Sequence, residues 1–207
     1  MKYLLDLDGT LIDSNRRHYE LMEELLKEYR TNVHFDALAF MQYKADGNSG
    51  KKYLTEILGM EQKEAERVMG LWLEQIETLK WIETDTLYPD TIAFLKAIEG
   101  NEIIYLSARQ NRDNLVAELE RLGIGRYATA LYVVPPTEAQ KQKLEIARQI
   151  QKDSSQMVVV GDTENEYSIA LELNLPVYIL NRGARSKTYW DTRGVKSIDN
   201  LMSICVK

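Results

Sequence analysis

The sequence predicts an α/β protein: a parallel sheet covered by helices on both faces, with an all-helical insert after the first strand. Three observations lead there. Five short apolar runs are separated by segments of helical period. Four of the five runs are continuously apolar, as strands buried on both faces require. Residues 14–85 carry apolar positions at helical spacing with little strand character.

The elements follow in chain order. Lys2–Leu7 is short and apolar and runs into Asp8-Gly9-Thr10, a turn signal, so a buried strand ends near Leu7. From Ser14 to Thr84 the pairs His18-Tyr19, Leu21-Met22, Leu25-Leu26, Tyr53-Leu54, Ile57-Leu58, Val68-Met69 and Leu71-Trp72 recur at helical spacing. Roughly four helices are expected, interrupted by the polar loop Asp46-Gly47-Asn48-Ser49-Gly50. Thr91–Ile98 reads as a helix closed by Gly100. Ile103–Leu106 is the second strand, ending at Ser107. Asn111–Leu122 is a helix closed by Gly123. Ala130–Val134 is the third strand, stopped by Pro135-Pro136. Thr137 and Gln140 fit a capping box for a helix reaching about Gln151. Met157–Val160 is the fourth strand, Tyr167–Leu173 a helix, Pro176–Leu180 the fifth strand, and Ile198–Met202 a short last helix. The expected division is a core of residues 1–13 and 86–207 around an insert of residues 14–85.

Bulk properties narrow the function classes. The chain has 207 residues, enough for one core and a small appendage. A net charge of -6 without a basic tract argues against nucleic acid as partner. Asp6 and Asp8 come too early for a signal-peptide core, and no stretch reaches the ~18 apolar residues of a membrane span. The cytoplasm is the expected location. Cys205 is the one cysteine, with no disulfide partner in the chain, and reads as structural. His18 and His34 lack metal-ligand spacing, and Tyr53, Trp72 and Trp81 read as core.

Ligands of open parallel sheets bind beyond the carboxyl ends of the strands. Those ends offer Asp6, Asp8 and Thr10; Ser107 and Arg109; Lys141 and Lys143 on the helix after the third strand; and Asp162, Glu164 and Glu166. Clustered carboxylates repel one another unless a cation joins them. Hard oxygen donors in a small set suit Mg²⁺. A carboxylate nucleophile cannot approach an anionic phosphate ester unaided, and Mg²⁺ with a lysine would offset that repulsion. One carboxylate could then attack phosphorus, and a second could serve as acid and base. The helix around Lys143 puts Ile146, Ala147 and Ile150 at offsets three, four and seven, favouring Lys143 as the inward lysine. Thr137 as a cap would put Lys141 nearer the helix start, and both stay candidates.

Asp6-Leu7-Asp8-Gly9-Thr10-Leu11 resembles the signature of the haloacid dehalogenase (HAD) superfamily. Ser107, a lysine at 141 or 143, and Gly161-Asp162-Thr163-Glu164-Asn165-Glu166 resemble its later motifs, in the family's order. The resemblance implies a Rossmann-like HAD core with a helical cap, similar to phosphoglycolate phosphatases and beta-phosphoglucomutases. It implies Asp6 as nucleophile and metal ligand, and Asp8 as general acid/base with its backbone carbonyl on the metal. Asp162 would complete the Mg²⁺ site, and Glu166 would support it, directly or through water. Thr10, Ser107, Ala108 and the lysine would hold phosphate. The cap loop, with Gly47, Lys44, Lys51 or Lys52, would meet the substrate, and Arg109 would either contact the substrate or pair with an acidic residue. The implied partner is a small-molecule phosphate ester, and the chain is expected as a monomer or homodimer. Asp8 sets the sequence apart from the dehalogenases proper, the phosphonatases and the P-type ATPases. A phosphomutase and a non-catalytic binding protein that retains the fold are the alternatives.

Overall fold

The structure is a computed structural model and describes residues 1–29, 34–152 and 156–205. β1, Lys2–Leu5, is continued by Asp6, whose N–H still donates to the Val160 carbonyl at 3.0 Å. A tight turn follows, with Gly9 at φ 74°, a left-handed conformation that glycine adopts without steric cost. β2, Ile12–Asp13, leads into α1, Asn15–Tyr29. Next come α2, Ala37–Ala45, and α3, Gly50–Lys52, which passes into a π-helical turn at Tyr53–Ile57. α4, Gln62–Gln75, and α5, Leu79–Ile82, end the helical segment, and β3, Thr86–Leu87, pairs antiparallel with β2. The chain thus leaves and re-enters the core through neighbouring strands.

The remaining elements alternate. They are α6, Thr91–Ala97; β4, Glu102–Ala108; α7, Arg112–Arg121; β5, Ala130–Val134; α8, Ala139–Lys152; β6, Met157–Gly161; α9, Glu164–Leu173; β7, Val177–Leu180; α10, Lys187–Asp191; and β8, Ser197–Ile198. The sheet is six-stranded and parallel throughout, in the order β5-β4-β1-β6-β7-β8.

Successive residues of a strand face opposite ways, which explains the continuous apolar runs. Leu5, Tyr105 and Val160 pack with Phe94 of α6 and Leu115 of α7. Leu4, Ile104 and Val159 pack with Ala147 of α8 and Ile169 of α9 on the other face. The helical segment has a separate core, with Leu21, Phe40, Tyr53, Leu54, Val68 and Trp81 buried together. Each fully buried side chain of this kind contributes roughly 1.5–3 kcal/mol relative to exposure. These helices sit over the carboxyl end of the sheet as a cap.

Several expectations are corrected. The sheet gains β8, where a last helix was expected at Ile198–Met202; a short 3-10 helix at Leu201–Ile204 follows instead. Two-residue strands such as β2, β3 and β8 are too short to show a period. Thr137 does not cap α8. It lies inside a 3-10 turn, Pro136–Glu138, because Pro136 presets the φ angle for helix entry. The capping box is at α9, where Thr163 accepts from the helix start and Glu166 reaches back. The polar loop at 46–50 is shorter than expected, since Ser49 caps α3. Cys205 is exposed.

Candidate active site

Asp6 ends the central strand, where the sheet order turns outward to β4 on one side and β6 on the other. A cavity of about 190 Å³ opens at this switch point, roofed by α1 and α2. Asp6, Asp8, Ala108, Lys143 and Asp162 line it from the core; His18 and Lys44 line it from the cap.

The core side is built around one buried lysine. On α8 the buried positions Ala139, Lys143, Ala147 and Ile150 fall on one helix face, so Lys143 points to the sheet. Its Nζ donates to Asp6 Oδ1 and to Glu166 Oε1, both at 2.8 Å. Burial opposes its charge, but Asp6 and Glu166 prevail and hold its pKa above the ordinary lysine value. Lys141 is exposed on the same helix. Glu166 has a second tie, since Thr163 Oγ1 donates to its Oε2 at 2.6 Å. Glu166 therefore anchors Lys143.

Asp162 follows β6. Its Oδ2 accepts from the Ala184 backbone N–H at 2.5 Å, and Thr10 Oγ1 donates to Oδ1 at 3.3 Å. The Thr10 hydroxyl is thus directed at Asp162. A Cβ on Gly183 would collide with Asp162 and with the Gly9 backbone, so the two glycines let the loops after β7 and β1 close on the carboxylate.

One carboxylate oxygen from each of Asp6, Asp162 and Glu166 can lie within 4.8 Å of the others, all three residues being buried. Burial pushes Asp6 up to about 7, with Glu166 and Asp8 adding repulsion against the pull of Lys143. Burial, then the charge of Asp6, raises Asp162 well above the carboxylate range. One lysine does not balance three acidic groups. A hard-oxygen donor set short of positive charge fits a divalent cation such as Mg²⁺.

Asp8 has a different environment. Arg109 Nε donates to its Oδ2 at 2.6 Å, and Arg109 Nη2 and Arg17 Nη2 donate to its Oδ1 at 2.7 and 2.8 Å. Burial alone would raise Asp8, but Arg109 and then Arg17 outweigh it and hold the carboxyl well below its usual range. Glu118 Oε2 accepts from Arg109 at 3.1 Å, and Asp85 Oδ2 lies 3.4 Å from Arg17. Burial pushes Asp85 up to about 9. Arg109 is therefore spent on Asp8 and Glu118.

On the cap side, Lys44 Nζ lies 3.2 Å from His18 Nδ1, and His18 stacks on Trp72 with ring centroids 5.2 Å apart. Burial, then Arg185 and Arg17, pushes Lys44 down to about 8. Burial and Lys44 lower His18 well below the imidazole value, so it accepts the lysine hydrogen bond as a neutral ring. Arg185, after β7, borders the cavity and pairs with Glu164 at 2.8 Å.

The residues singled out from sequence divide accordingly. Asp6, Asp8, Lys143, Asp162 and Glu166 come together, and Thr10 joins them through Asp162. Ala108 lines the cavity, and Ser107 is buried one residue earlier on β4. Lys51 is directed away, to Glu66 at 2.7 Å on the cap surface, and Lys52 lies 3.8 Å from Glu56. Gly47 packs against Tyr189, with no room for a Cβ. Arg17, His18, Lys44 and Arg185 are the additions, Lys44 having been one of several cap lysines. Arg17 had a readable signal: it shares the buried stripe of α1 with Leu21 and Leu25, where a cation needs an internal partner.

Residues 3–174 match a family model described as hydrolase, haloacid dehalogenase-like hydrolase. The fold is similar to that of a haloacid dehalogenase-like hydrolase family protein from Streptococcus pneumoniae, at TM-score 0.77 and 15% identity, covering 98% of this chain and 95% of that one. A predicted phosphatase from Clostridium acetobutylicum matches at TM-score 0.70 and 19% identity, covering 99% and 95%. A predicted phosphoglycolate phosphatase from Haemophilus somnus matches at TM-score 0.69 and 16% identity, covering 98% and 95%. The comparison with curated proteins gives no match. Among the described residues no helix is long and apolar enough to cross a membrane.

Proposed function

Because the chain belongs to the haloacid dehalogenase-like hydrolase family, we propose that it is a Mg²⁺-dependent phosphatase of a small phosphomonoester, with Asp6 as nucleophile. One observation carries the reading. The Asp6 carboxylate borders the cavity between core and cap, hydrogen-bonded to a buried lysine and within reach of two further acidic groups.

Asp6, Asp162 and the backbone carbonyl of Asp8 would hold Mg²⁺, with Glu166 behind them, and the bound ion supplies the positive charge that lets two anions meet. The chain's own groups perform the rest. An Asp6 oxygen forms a bond to phosphorus as the bond to the ester oxygen breaks. Arg109 and Arg17 hold Asp8 ionised, so it must first leave these partners and take up a proton from solvent. Asp8 gives the leaving oxygen that proton. It then takes a proton from water, whose oxygen attacks phosphorus and frees Asp6 and inorganic phosphate. Lys143 and Ser107 hold phosphate oxygens, and the cap excludes bulk water. The test is a panel of metabolite phosphates with and without Mg²⁺, scoring free phosphate. Release of phosphate only with the cation is expected. Phosphoryl groups retained on a sugar product would mean a mutase, and a folded protein inert on every ester would mean a binding protein.

Lys44 is the cap residue placed to read the rest of the substrate, so an ester with a second anionic group is favoured. A sign follows for stability. The folded-state pKa of Lys44, about 8, lies below the lysine value of 10.5. The unfolded chain therefore binds more protons between those values, and stability rises with pH across that window. Below pH 8 the charged lysine costs folding free energy in full. Lys44→Met is expected to stabilise the protein at pH 7 by on the order of 1 kcal/mol. It should also raise KM roughly tenfold for doubly anionic esters, the loss of about one charged hydrogen bond, while p-nitrophenyl phosphate is turned over as before. Thermal melting and paired KM values check this. An equal effect on both ester types would remove Lys44 from recognition.

A further inference from the structure

The cap also holds the core segment that follows β4. Glu77, between α4 and α5, directs its carboxylate at the start of α7. Gln110 N–H donates to Glu77 Oε2 at 2.8 Å and to Oε1 at 3.0 Å, and Asn111 N–H donates to Oε2 at 2.7 Å. Asn114 Nδ2 adds a bond to the Glu77 carbonyl at 2.8 Å. Asn111, the residue capping α7, uses its own side chain on Asn114 N at 3.0 Å. Two backbone donors in front of a core helix are thus satisfied by a side chain of another layer. An anion there also meets the positive end of the helix dipole.

The held segment is not neutral ground. It follows directly on Ser107 and Ala108, the last residues of β4, and includes Arg109, two bonds from which fix Asp8. Arg17 reaches the same Asp8 from the first cap helix. Cap and core therefore share one circuit: Glu77 to the 110–111 backbone, Arg109 to Asp8, and Arg17 back to the cap. Other cap attachments do not involve Glu77. After β7, Ser186 N–H donates to the Ala45 carbonyl at 2.9 Å and Ser186 Oγ to Asp46 Oδ1 at 3.0 Å. Arg121 of α7 donates to the Ile82 and Asp85 carbonyls at 2.8 and 3.0 Å.

We propose that Glu77 is a positioning residue, which makes the segment carrying Ser107 and Arg109 competent only when the cap is down. The inference rests on the phosphatase reading for the roles of Ser107 and Asp8. Without Glu77 the cap keeps its other attachments but the closed state is less populated. Substrate can still close it at saturation, so apparent affinity falls by the lost population while turnover survives.

The test uses the full chain with Mg²⁺ and p-nitrophenyl phosphate, comparing wild type, Glu77→Gln and Glu77→Ala. Amide exchange at Gln110 and Asn111 should speed up roughly tenfold or more in Glu77→Ala, the factor for losing about one charge-assisted hydrogen bond. KM should rise by a similar factor, with kcat within about threefold of wild type. Glu77→Gln, which keeps one acceptor oxygen, should fall between. If Glu77→Ala does not fold, Glu77→Gln decides by the same criteria. Unchanged exchange, or a drop in kcat with KM constant, overturns the proposal. Turnover that survives Asp6→Asn sinks the phosphatase reading instead. The exchange rates need no turnover, and they then judge Glu77 alone.

Discussion

Asp6→Asn is expected to lower phosphate release by roughly 10⁴-fold or more, because an amide oxygen cannot serve as the covalent nucleophile. The fold should survive, since the side chains are nearly isosteric and Lys143 keeps Glu166 as a partner. A second effect separates this from simple damage. The folded pKa of Asp6, about 7, lies above its ordinary value of 3.8. Between those values the folded state binds more protons than the unfolded chain, so stability falls as pH rises through the window. Asp162 is shifted the same way. In chelator, wild type should therefore melt higher at pH 5.5 than at pH 8. Asp6→Asn should flatten that difference and melt no lower than wild type at pH 8. Normal turnover by Asp6→Asn or Asp6→Ala would end the aspartyl-phosphate reading. A melting temperature lower than wild type would mean that the carboxylates are not in conflict.

Lys143→Met carries the largest expected loss of stability. The lysine is 2% exposed and lies between two carboxylates that are themselves buried. Removing one partner of a buried ion cluster costs about 3–5 kcal/mol, because the remaining charges have neither water nor a counter-ion. At this chain length that is a fall of about 10 °C in melting temperature. Mg²⁺ should restore part of it, since a divalent ion on the same carboxylates replaces the lost charge. Activity should stay at least ~10²-fold down even with Mg²⁺, as the cation facing the transferred group is gone. Melting curves in chelator and in Mg²⁺ measure both parts. A variant as stable as wild type in chelator would show that the three acidic groups do not depend on Lys143. Lys141→Met, on the exposed face of the same helix, should change neither quantity.

Much of the sheet was legible because burial on both faces leaves a local mark. Ile103–Leu106 and Met157–Val160 carry no charged residue, as suits strands covered on both sides. β2, β3 and β8 escaped notice because two residues cannot display a period. Lys143 could be favoured over Lys141 for the same reason the strands could be read: its position is in phase with Ala139, Ala147 and Ile150. Lys51 could not be set aside by such means. A lysine in a polar loop looks the same whether it faces a cavity or, as here, Glu66. Arg109 was left open between the substrate and an acidic partner; it pairs with Asp8 and Glu118, and nothing in the local sequence tells which acidic groups these are.

By itself, the sequence determined the parallel sheet, the helical segment between its first two long strands, and the acidic groups at the strand ends. Each of these depends on a pattern spanning a few residues, set by which side of an element meets water. Tertiary structure alone decided the partnerships. Asp6 meets Lys143 across 137 positions, and Arg109 meets Asp8 across 101. Glu77 reaches Gln110 from a different layer. Polar side chains choose partners by distance and direction once the layers have packed, and periodicity holds no record of which layer lies opposite.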